Sequence, residues 1–195
     1  MRRAKQERKT KETEISIDLD LDGTGAASID VPIGFLRHML ETFSHYSLID
    51  LTIRAKGDLD VDQHHLIEDL GLTLGETIHR ALGDKRGVYR TSSFTFPMDD
   101  ARTTVTIDLS GRPHLSYHAI FDNRDLDDTM TTLFFDFFQA LTMRLQATVH
   151  IDMFPQGNDH HRAESMFKAF GRALRHALEI DPRRSTAIPS TKGVI

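Results

Sequence analysis

His64-His65-Leu66-Ile67-Glu68 and His160-His161-Arg162-Ala163-Glu164 are two copies of one pattern, His-His-x-x-Glu, and they lie 96 residues apart. The similarity extends around them: residues 51–82 align with residues 147–178 without a gap, and seven of these 32 pairs are identical. Three of the seven identities belong to the His-His-Glu pattern itself. Because self-similarity at a fixed period indicates a repeated architecture, we predict an internally duplicated unit.

The spacing of apolar residues around the two motifs predicts the elements of that unit. Apolar positions at helical spacing predict two long helices, which contain the motifs, and two shorter helices upstream of them. These helices cover residues 62–82 and 160–178, a stretch around residues 36–43, and residues 133–145. Alternating or β-rich segments predict strands over residues 13–21, 48–55, 94–97, 103–109, 114–120 and 147–153, with a short strand after the turn at 22–25.

The order of strands, helix, strand and long helix occurs twice along the chain. This order predicts a single α+β domain over residues 1–195, with four main helices packed on β-sheet. The two repeats cover about residues 10–87 and 88–180. Residues 181–195 have no helical period, and we predict that they form an extended tail.

The composition excludes several classes of protein. The chain has 195 residues, a net charge of −5 and no cysteine. The absence of cysteine excludes disulfides, zinc–thiolate sites, iron–sulfur clusters and cysteine nucleophiles, and it favours a cytoplasmic location. The net negative charge argues against nucleic-acid and anionic-membrane partners. No apolar run approaches the roughly 20 residues of a membrane helix, and no apolar segment follows the basic residues 1–11, so we expect neither a membrane span nor a secretory signal.

The two motifs have the chemistry of metal sites. On a helix, residues i and i+4 face the same way, so His64 and Glu68 can hold one ion while His65 points towards another. Imidazole and carboxylate together suit Mn, Fe, Co, Ni or Zn. One such motif alone is equally typical of surface histidines with an i,i+4 partner, but two at matched positions predict two metals related by a pseudo-twofold axis.

Two further residues are possible ligands, since they precede the motifs at nearly equal distances. His38 lies 26 residues before His64, and Asp136 lies 24 residues before His160. A buried helix histidine is the alternative interpretation of His38, and a surface carboxylate among phenylalanines is the alternative for Asp136.

Taken together, these stretches and several others resemble the imidazoleglycerol-phosphate dehydratase family of histidine biosynthesis. The resemblance covers nearly the whole chain. Besides the two motifs, it is carried by residues 10–13 (Thr-Lys-Glu-Thr), 21–25 (Leu-Asp-Gly-Thr-Gly), 35–40 (Phe-Leu-Arg-His-Met-Leu), 97–100 (Pro-Met-Asp-Asp), 108–113 (Asp-Leu-Ser-Gly-Arg-Pro), 167–169 (Phe-Lys-Ala) and 189–193 (Pro-Ser-Thr-Lys-Gly).

The resemblance implies a duplicated sheet-and-helix fold of the ribosomal protein S5 domain 2 class. It implies a homo-oligomer in which trimers assemble into a shell of 24 subunits, with two Mn²⁺ ions per active site at subunit contacts. It also implies that the C-terminal tail contributes to the active site. The implied metal ligands are His38, His64, His65, Glu68, Asp136, His160, His161 and Glu164. The implied substrate contacts are Arg90, Arg112, Ser190 and Lys192, and the implied catalytic residues are Glu164, Glu12, Asp99 and Lys168.

Five positions depart from the family pattern. This chain has Asp136 where the family usually has His, Arg37 where it has Asp, and Thr42 where it has Gln. It also has Thr91-Ser92 in place of the family's aromatic–glycine pair. Aspartate still binds Mn²⁺ through oxygen. A cation at Arg37 replaces a carboxylate that orients a ligand histidine, and we expect it to weaken metal binding.

The implied reaction converts imidazole glycerol phosphate, a small phosphorylated imidazole, to imidazole acetol phosphate and water. Metal-bound imidazole is more acidic, which helps to expel the adjacent hydroxyl, and a carboxylate, Glu164 or Glu12, then removes a carbon-bound proton. Two alternatives stay open from sequence: a two-metal hydrolase of phosphate esters or peptides, and a non-catalytic paralogue that binds metal for assembly.

Overall fold

The computed structural model describes residues 2–195. Within that range the chain forms four helices, α1 (Gly34–Ser47), α2 (His64–Leu82), α3 (Leu133–Leu145) and α4 (Asp159–Leu178). It also forms ten strands, β1 (Arg3–Lys9), β2 (Thr13–Asp20), β3 (Ala27–Asp30), β4 (Asp50–Gly57), β5 (Thr91–Met98), β6 (Ala101–Asp108), β7 (His114–His118), β8 (Asp125–Leu126), β9 (Thr129–Met130) and β10 (Thr148–Phe154). No helix among these is both long and apolar enough to cross a membrane.

Two four-stranded sheets repeat one topology. The first has the order β1-β2-β4-β3 and the second the order β5-β6-β10-β7. In each sheet the first three strands are antiparallel, and the last pair, β3 with β4 or β7 with β10, is parallel. Each parallel pair is joined through a helix, α1 or α3. The duplicated α+β fold predicted from sequence is confirmed.

The helices form a layer between the two sheets. Helices α1 and α2 cover the first sheet and α3 and α4 the second, while α2 packs on α3 and α1 on α4. Two glycines allow these close approaches: a Cβ on Gly75 of α2 would lie 2.3 Å from the carbonyl oxygen of Leu141, and one on Gly171 of α4 would lie 3.1 Å from that of Phe43. These glycines occupy the same position in the two halves.

One apolar core runs through the helix layer and reaches the inner faces of both sheets. Its largest side chains are phenylalanines from α1, α3 and α4, all at most 2% exposed: Phe43, Phe134, Phe137, Phe138, Phe167 and Phe170. Buried aromatic side chains remove the most apolar area from water per residue, so this cluster dominates the hydrophobic stabilisation. The two halves therefore share a core.

Several element boundaries differ from the predictions. Strand β4 begins at Asp50 and not at residue 48, because Leu48 takes a left-handed conformation (φ 57°) that ends α1. Helix α2 begins at His64 and not at residue 62. Strand β1 and the β8–β9 hairpin were not predicted at all. Residues 181–195 contain neither a helix nor a strand, as expected for a tail.

Candidate metal centres and active site

The first cluster joins helices α1 and α4 where their first turns meet. His38 Nε2 lies 2.9 Å from Glu164 Oε1, and His160 Nε2 lies 3.5 Å from the same oxygen. One ligand atom from each of these three residues lies within 4.8 Å of the others. Two imidazoles and a carboxylate at this separation form a suitable ligand set for a divalent transition metal.

The second cluster joins α2 and α3, but its ligand atoms do not converge on one point: within residues 2–195 only the first cluster has three ligand atoms within 4.8 Å of one another. His64 Nε2 lies 3.7 Å from Glu68 Oε2, and His64 Nδ1 lies 3.8 Å from Asp136 Oδ2. Asp136 is displaced from His38 by 98 residues, and the same displacement separates the left-handed residues that end α1 and α3, Leu48 and Gln146. Asp136 therefore occupies in α3 the position that His38 occupies in α1.

The Glu164 carboxylate of the first cluster is in its charged form, which is the form that binds a cation. Burial alone would raise the pKa of Glu164, but hydrogen bonds from Lys168 and His38 lower that pKa to about 2. The Lys168 ammonium lies 2.6 Å from Glu164 Oε2. It also lies 3.1 Å from Met98 Sδ and 5.6 Å from the ring centroids of Tyr46 and Phe96. Glu164 is therefore ionised, and Lys168 holds one of its oxygens.

The second histidine of each motif turns away from its own cluster. The rings of His64 and His65 are inclined at 86°, and those of His160 and His161 at 84°. His65 Nδ1 lies 3.1 Å from Asp58 Oδ2, and the hydrogen bond between them raises the pKa of His65. Within residues 2–195 each cluster therefore contains three of the predicted ligands, while His65 and His161 stand apart from both.

The two predicted catalytic acids lie beside these outward histidines. Glu12 Oε2 is 3.9 Å from His65 Nδ1, and Asp99 Oδ2 is 3.6 Å from His161 Nδ1. Both carboxylates are largely exposed. Each half of the chain thus pairs one outward histidine with one exposed carboxylate.

The predicted substrate-binding cations lie elsewhere. Arg90 forms a bidentate ion pair with Asp108 (2.7 and 3.0 Å) and donates a hydrogen bond to the carbonyl oxygen of Pro189 (2.9 Å). This contact holds the middle of the 181–195 tail. In the tail, the Ser190 hydroxyl accepts a hydrogen bond from the Lys192 N–H (3.2 Å). The exposed Arg112 side chain donates only a long hydrogen bond to its own turn, at 3.4 Å.

Arg90 and the first cluster are at opposite ends of α4. The Arg90 N–H bonds to the carbonyl oxygen of Ala177, near the C-terminal end of the helix, whereas Glu164 lies in its second turn. A helix rises 1.5 Å per residue, so these two positions are about 20 Å apart along the axis. One chain therefore does not bring its own Arg90 to its own metal cluster.

Two residues beside the clusters, Phe35 and Tyr117, were not predicted from the sequence. The Phe35 ring lies edge-on to His160, 5.2 Å away, and 6.3 Å from His38. Burial and the Asp136 carboxylate raise the pKa of Tyr117 far above its usual range. Neither residue is a histidine or a carboxylate, so the spacing of those ligand types did not reveal them. Arg37 is exposed and forms no ion pair among residues 2–195.

Comparisons of the chain with family models, known sequences and solved structures all match the same family. Residues 31–174 match the family model "Imidazoleglycerol-phosphate dehydratase". Proteins of that name from Cereibacter sphaeroides and Nitrosomonas eutropha are 48% and 46% identical to the chain, each over the full length of both sequences. The crystal structure of the Staphylococcus aureus dehydratase superposes with a TM-score of 0.83 at 34% identity and covers 92% of this chain and 99% of its own. The Pyrococcus furiosus structure gives 0.81 at 34%, covering 97% and 100%. The chain belongs to the imidazoleglycerol-phosphate dehydratase family, the hydro-lyases of histidine biosynthesis.

Proposed function

We propose that this chain dehydrates imidazole glycerol phosphate to imidazole acetol phosphate and water, with two Mn²⁺ ions per active site. The recurrence of metal-binding residue types at equivalent positions of the two halves carries the proposal, because a single motif is equally typical of surface histidines beside an i,i+4 carboxylate. The eight residues that would hold the ions supply imidazole nitrogens and carboxylate oxygens. They are His38, His64, His65, Glu68, Asp136, His160, His161 and Glu164.

The chain's own groups have separate tasks in this reaction. When bound, Mn²⁺ would supply Lewis acidity that lowers the pKa of the substrate's imidazole ring. Glu164 is less suited to proton removal, since Lys168 and His38 lie within hydrogen-bond distance of its two oxygens. Glu12 suits proton removal better, because its exposed carboxylate has His65 as its one ionic neighbour among residues 2–195. Asp99 has the equivalent place beside His161.

The phosphate of the substrate requires cations, and we assign Arg90, Arg112, Ser190 and Lys192 to it. Guanidinium groups bind phosphate oxygens in pairs, and the Ser190 hydroxyl adds a donor. The Arg90–Pro189 hydrogen bond holds the tail directly before Ser190 and Lys192. Binding the phosphate orients the substrate so that the proton to be removed faces its base.

The active site is shared between subunits in this proposal. The separation of about 20 Å between Arg90 and Glu164 along α4 exceeds what a small substrate spans. His65 and His161 also point away from the clusters of their own chain. Both observations support a site that takes residues from more than one chain. The family resemblance implies the form of that assembly, trimers that build a shell of 24 subunits, and we assign the 181–195 tail to the shared site. A single domain with repeats over about residues 10–87 and 88–180, in a cytoplasmic enzyme, remains our prediction.

Metal content and turnover, measured on the same samples, test the proposal. We expect nearly two Mn²⁺ per subunit by elemental analysis and release of water from imidazole glycerol phosphate. The double variant His64→Ala/His160→Ala should lose both, whereas His118→Ala, which removes an exposed histidine paired only with Asp152, should lose neither. A metal ratio near zero would overturn the metal assignment. Bound metal without turnover would favour a non-catalytic paralogue, and hydrolysis of generic phosphate esters would favour a two-metal hydrolase.

A further inference from the structure

The two halves differ most in one connection. In the first half, residues 31–33 join β3 to α1, whereas in the second half residues 119–132 join β7 to α3. We call residues 119–132 the connector. It contains the β8–β9 hairpin, which has no counterpart in the first half. Because only one of the two halves contains this segment, the repeated fold alone does not account for it.

The start of the connector is bound to α4. The carboxylate of Asp159, the first residue of α4, accepts hydrogen bonds from the backbone N–H groups of Asp122 (3.0 Å) and Asn123 (2.8 Å). It also accepts one from the Asn123 side-chain amide (2.8 Å). The next residue of the helix is His160, a ligand of the first cluster. The connector is thus attached beside that ligand.

The hairpin turn is bound to α1. Helix α1 has no capping side chain of its own, since Ile33 precedes it. The Asp128 carboxylate takes that role from another part of the chain by accepting hydrogen bonds from the N–H groups of Gly34 and Phe35. A carboxylate at a helix N-terminus satisfies free N–H groups and interacts favourably with the helix dipole. A Cβ on Gly34 would lie 2.9 Å from Asp128 Oδ2, so glycine leaves room for this contact.

The same turn is bound to α2 through Gln63. The Gln63 side-chain amide donates a hydrogen bond to the Asp128 carbonyl oxygen (2.6 Å), and its own oxygen accepts one from the Met130 N–H (3.2 Å). Gln63 immediately precedes His64, a ligand of the second cluster. The connector then continues directly into α3, which carries Asp136. One segment therefore contacts the N-terminal ends of all four ligand-bearing helices.

Asp128 also affects how the ligand rings of the first cluster are packed. It binds the N–H of Phe35, and the Phe35 ring lies 5.2 Å from the His160 ring and 6.3 Å from the His38 ring. The carboxylate therefore helps to hold an aromatic ring that packs beside both ligands. Groups that orient metal ligands change metal affinity by about ten- to a hundredfold when they are removed.

We infer that the connector is a clamp that holds the two metal clusters in register, with Asp128 and Gln63 as its positioning residues. Asp128 orients the His38–His160–Glu164 cluster, and Gln63 transmits the same constraint to the His64–Glu68–Asp136 cluster. This inference rests on the proposed function, because it takes both clusters to bind divalent ions.

Manganese titrations of metal-free protein, followed by EPR of the free aqueous ion, test the clamp one cluster at a time. In a His64→Ala background, which leaves the first cluster, we expect Asp128→Ala to weaken Mn²⁺ binding at least tenfold and Asp128→Asn to restore part of it through the amide oxygen. In a His160→Ala background, Gln63→Ala should weaken the second cluster in the same way. Asp127→Asn is the matched control: it lies in the same turn at a φ of 52°, which asparagine tolerates, and its side chain forms no hydrogen bond within residues 2–195.

The outcomes separate the clamp from the proposed function. Affinities of Asp128→Ala and Gln63→Ala equal to those of their backgrounds, even with a lower melting temperature, would reduce the connector to a purely structural role. Equal losses in Asp127→Asn and Asp128→Ala would overturn the assignment to Asp128. Absence of Mn²⁺ binding by the unmodified protein would overturn the proposed metal function, and the clamp with it.

Discussion

Asp136 Oδ2 lies 3.8 Å from His64 Nδ1, at the place in the second half of the chain that His38 occupies beside His160 in the first. The two clusters are thus equivalent in position and different in charge, since one carries an additional carboxylate in place of an imidazole. A more negative ligand lowers the effective positive charge of a bound ion.

Asp136→His tests this difference. We expect the variant to keep two bound metals and to raise kcat or change its pH dependence, because a more positive ion acidifies the bound ring more. If Asp136 is only a surface carboxylate, stability should change by no more than about 0.5 kcal/mol and the kinetics should not change. Steady-state kinetics of both proteins across pH, with metal content measured in each, distinguishes the two cases. Identical pH–rate curves at equal metal content would remove Asp136 from the site.

Removal of metal should change the assembly. If His65 and His161 bind ions held by a neighbouring subunit, chelation removes contacts between subunits and shifts a large shell towards a smaller oligomer, which we expect to be the trimer. Light scattering before and after chelation, and after Mn²⁺ is added back, measures the shift. A monomer under both conditions would contradict shared sites.

Asp50 should make stability depend on pH at a position away from the metal. Hydrogen bonds from the backbone N–H groups of Ala26 and Thr24 lower the pKa of Asp50. Its contribution to stability is therefore complete above the unfolded pKa and is lost as pH falls through the lower, folded value. Asp50→Asn should cost about 1 kcal/mol at neutral pH, with a gap that closes in acid. Urea unfolding of both proteins in chelator, from pH 7 down to pH 3, measures the gap; a gap that is constant with pH would contradict the charge effect.

The paired glycines of α2 and α4 predict unequal costs for one substitution. Alanine in a helix is favoured over glycine by about 1 kcal/mol, while overpacking costs about 1–3 kcal/mol. At Gly75 the new methyl would lie 2.3 Å from a backbone oxygen, so Gly75→Ala should destabilise the protein. At Gly171 the nearest atom is 3.1 Å away, and Gly171→Ala should be nearly neutral. Chemical denaturation of Gly75→Ala and Gly171→Ala at one protein concentration compares their free energies of unfolding. Equal free energies would show that α2 and α3 move apart at little cost to admit the methyl group.

Much of the fold was predictable because the same pattern occurs twice. The repeated His-His-x-x-Glu motif located α2 and α4, and helical spacing located α3 at residues 133–145 without error. Strand β1 was missed because its sequence, Arg-Ala-Lys-Gln-Glu-Arg-Lys, lacks apolar alternation. It is an edge strand, and charged residues are typical of edges because they oppose further pairing.

The sequence allowed us to predict the candidate ligands of the site, but not the residues that surround those ligands. The spacing of His64 and Glu68 follows from helix geometry, so a sequence reveals it. The contacts of Asp128 with Gly34 and of Lys168 with Met98 differ in kind: they join residues 94 and 70 positions apart, and they depend on how separate elements pack. No local pattern marks such residues. The asymmetry between residues 31–33 and 119–132 was the one sequence signal that the connector offered.

The packing of α2 on α3 and of α4 on α1 has a consequence for how such a chain is built. These are the two equivalent contacts of an isologous interface, the kind in which one surface binds a second copy of itself about a twofold axis. Each half therefore presents to the other the same helix surface that a second, identical half would present. The molecule has the geometry of a homodimer of half-length chains whose partners are joined through residues 83–90, and the covalent link lets one partner carry Asp136 while the other carries His38.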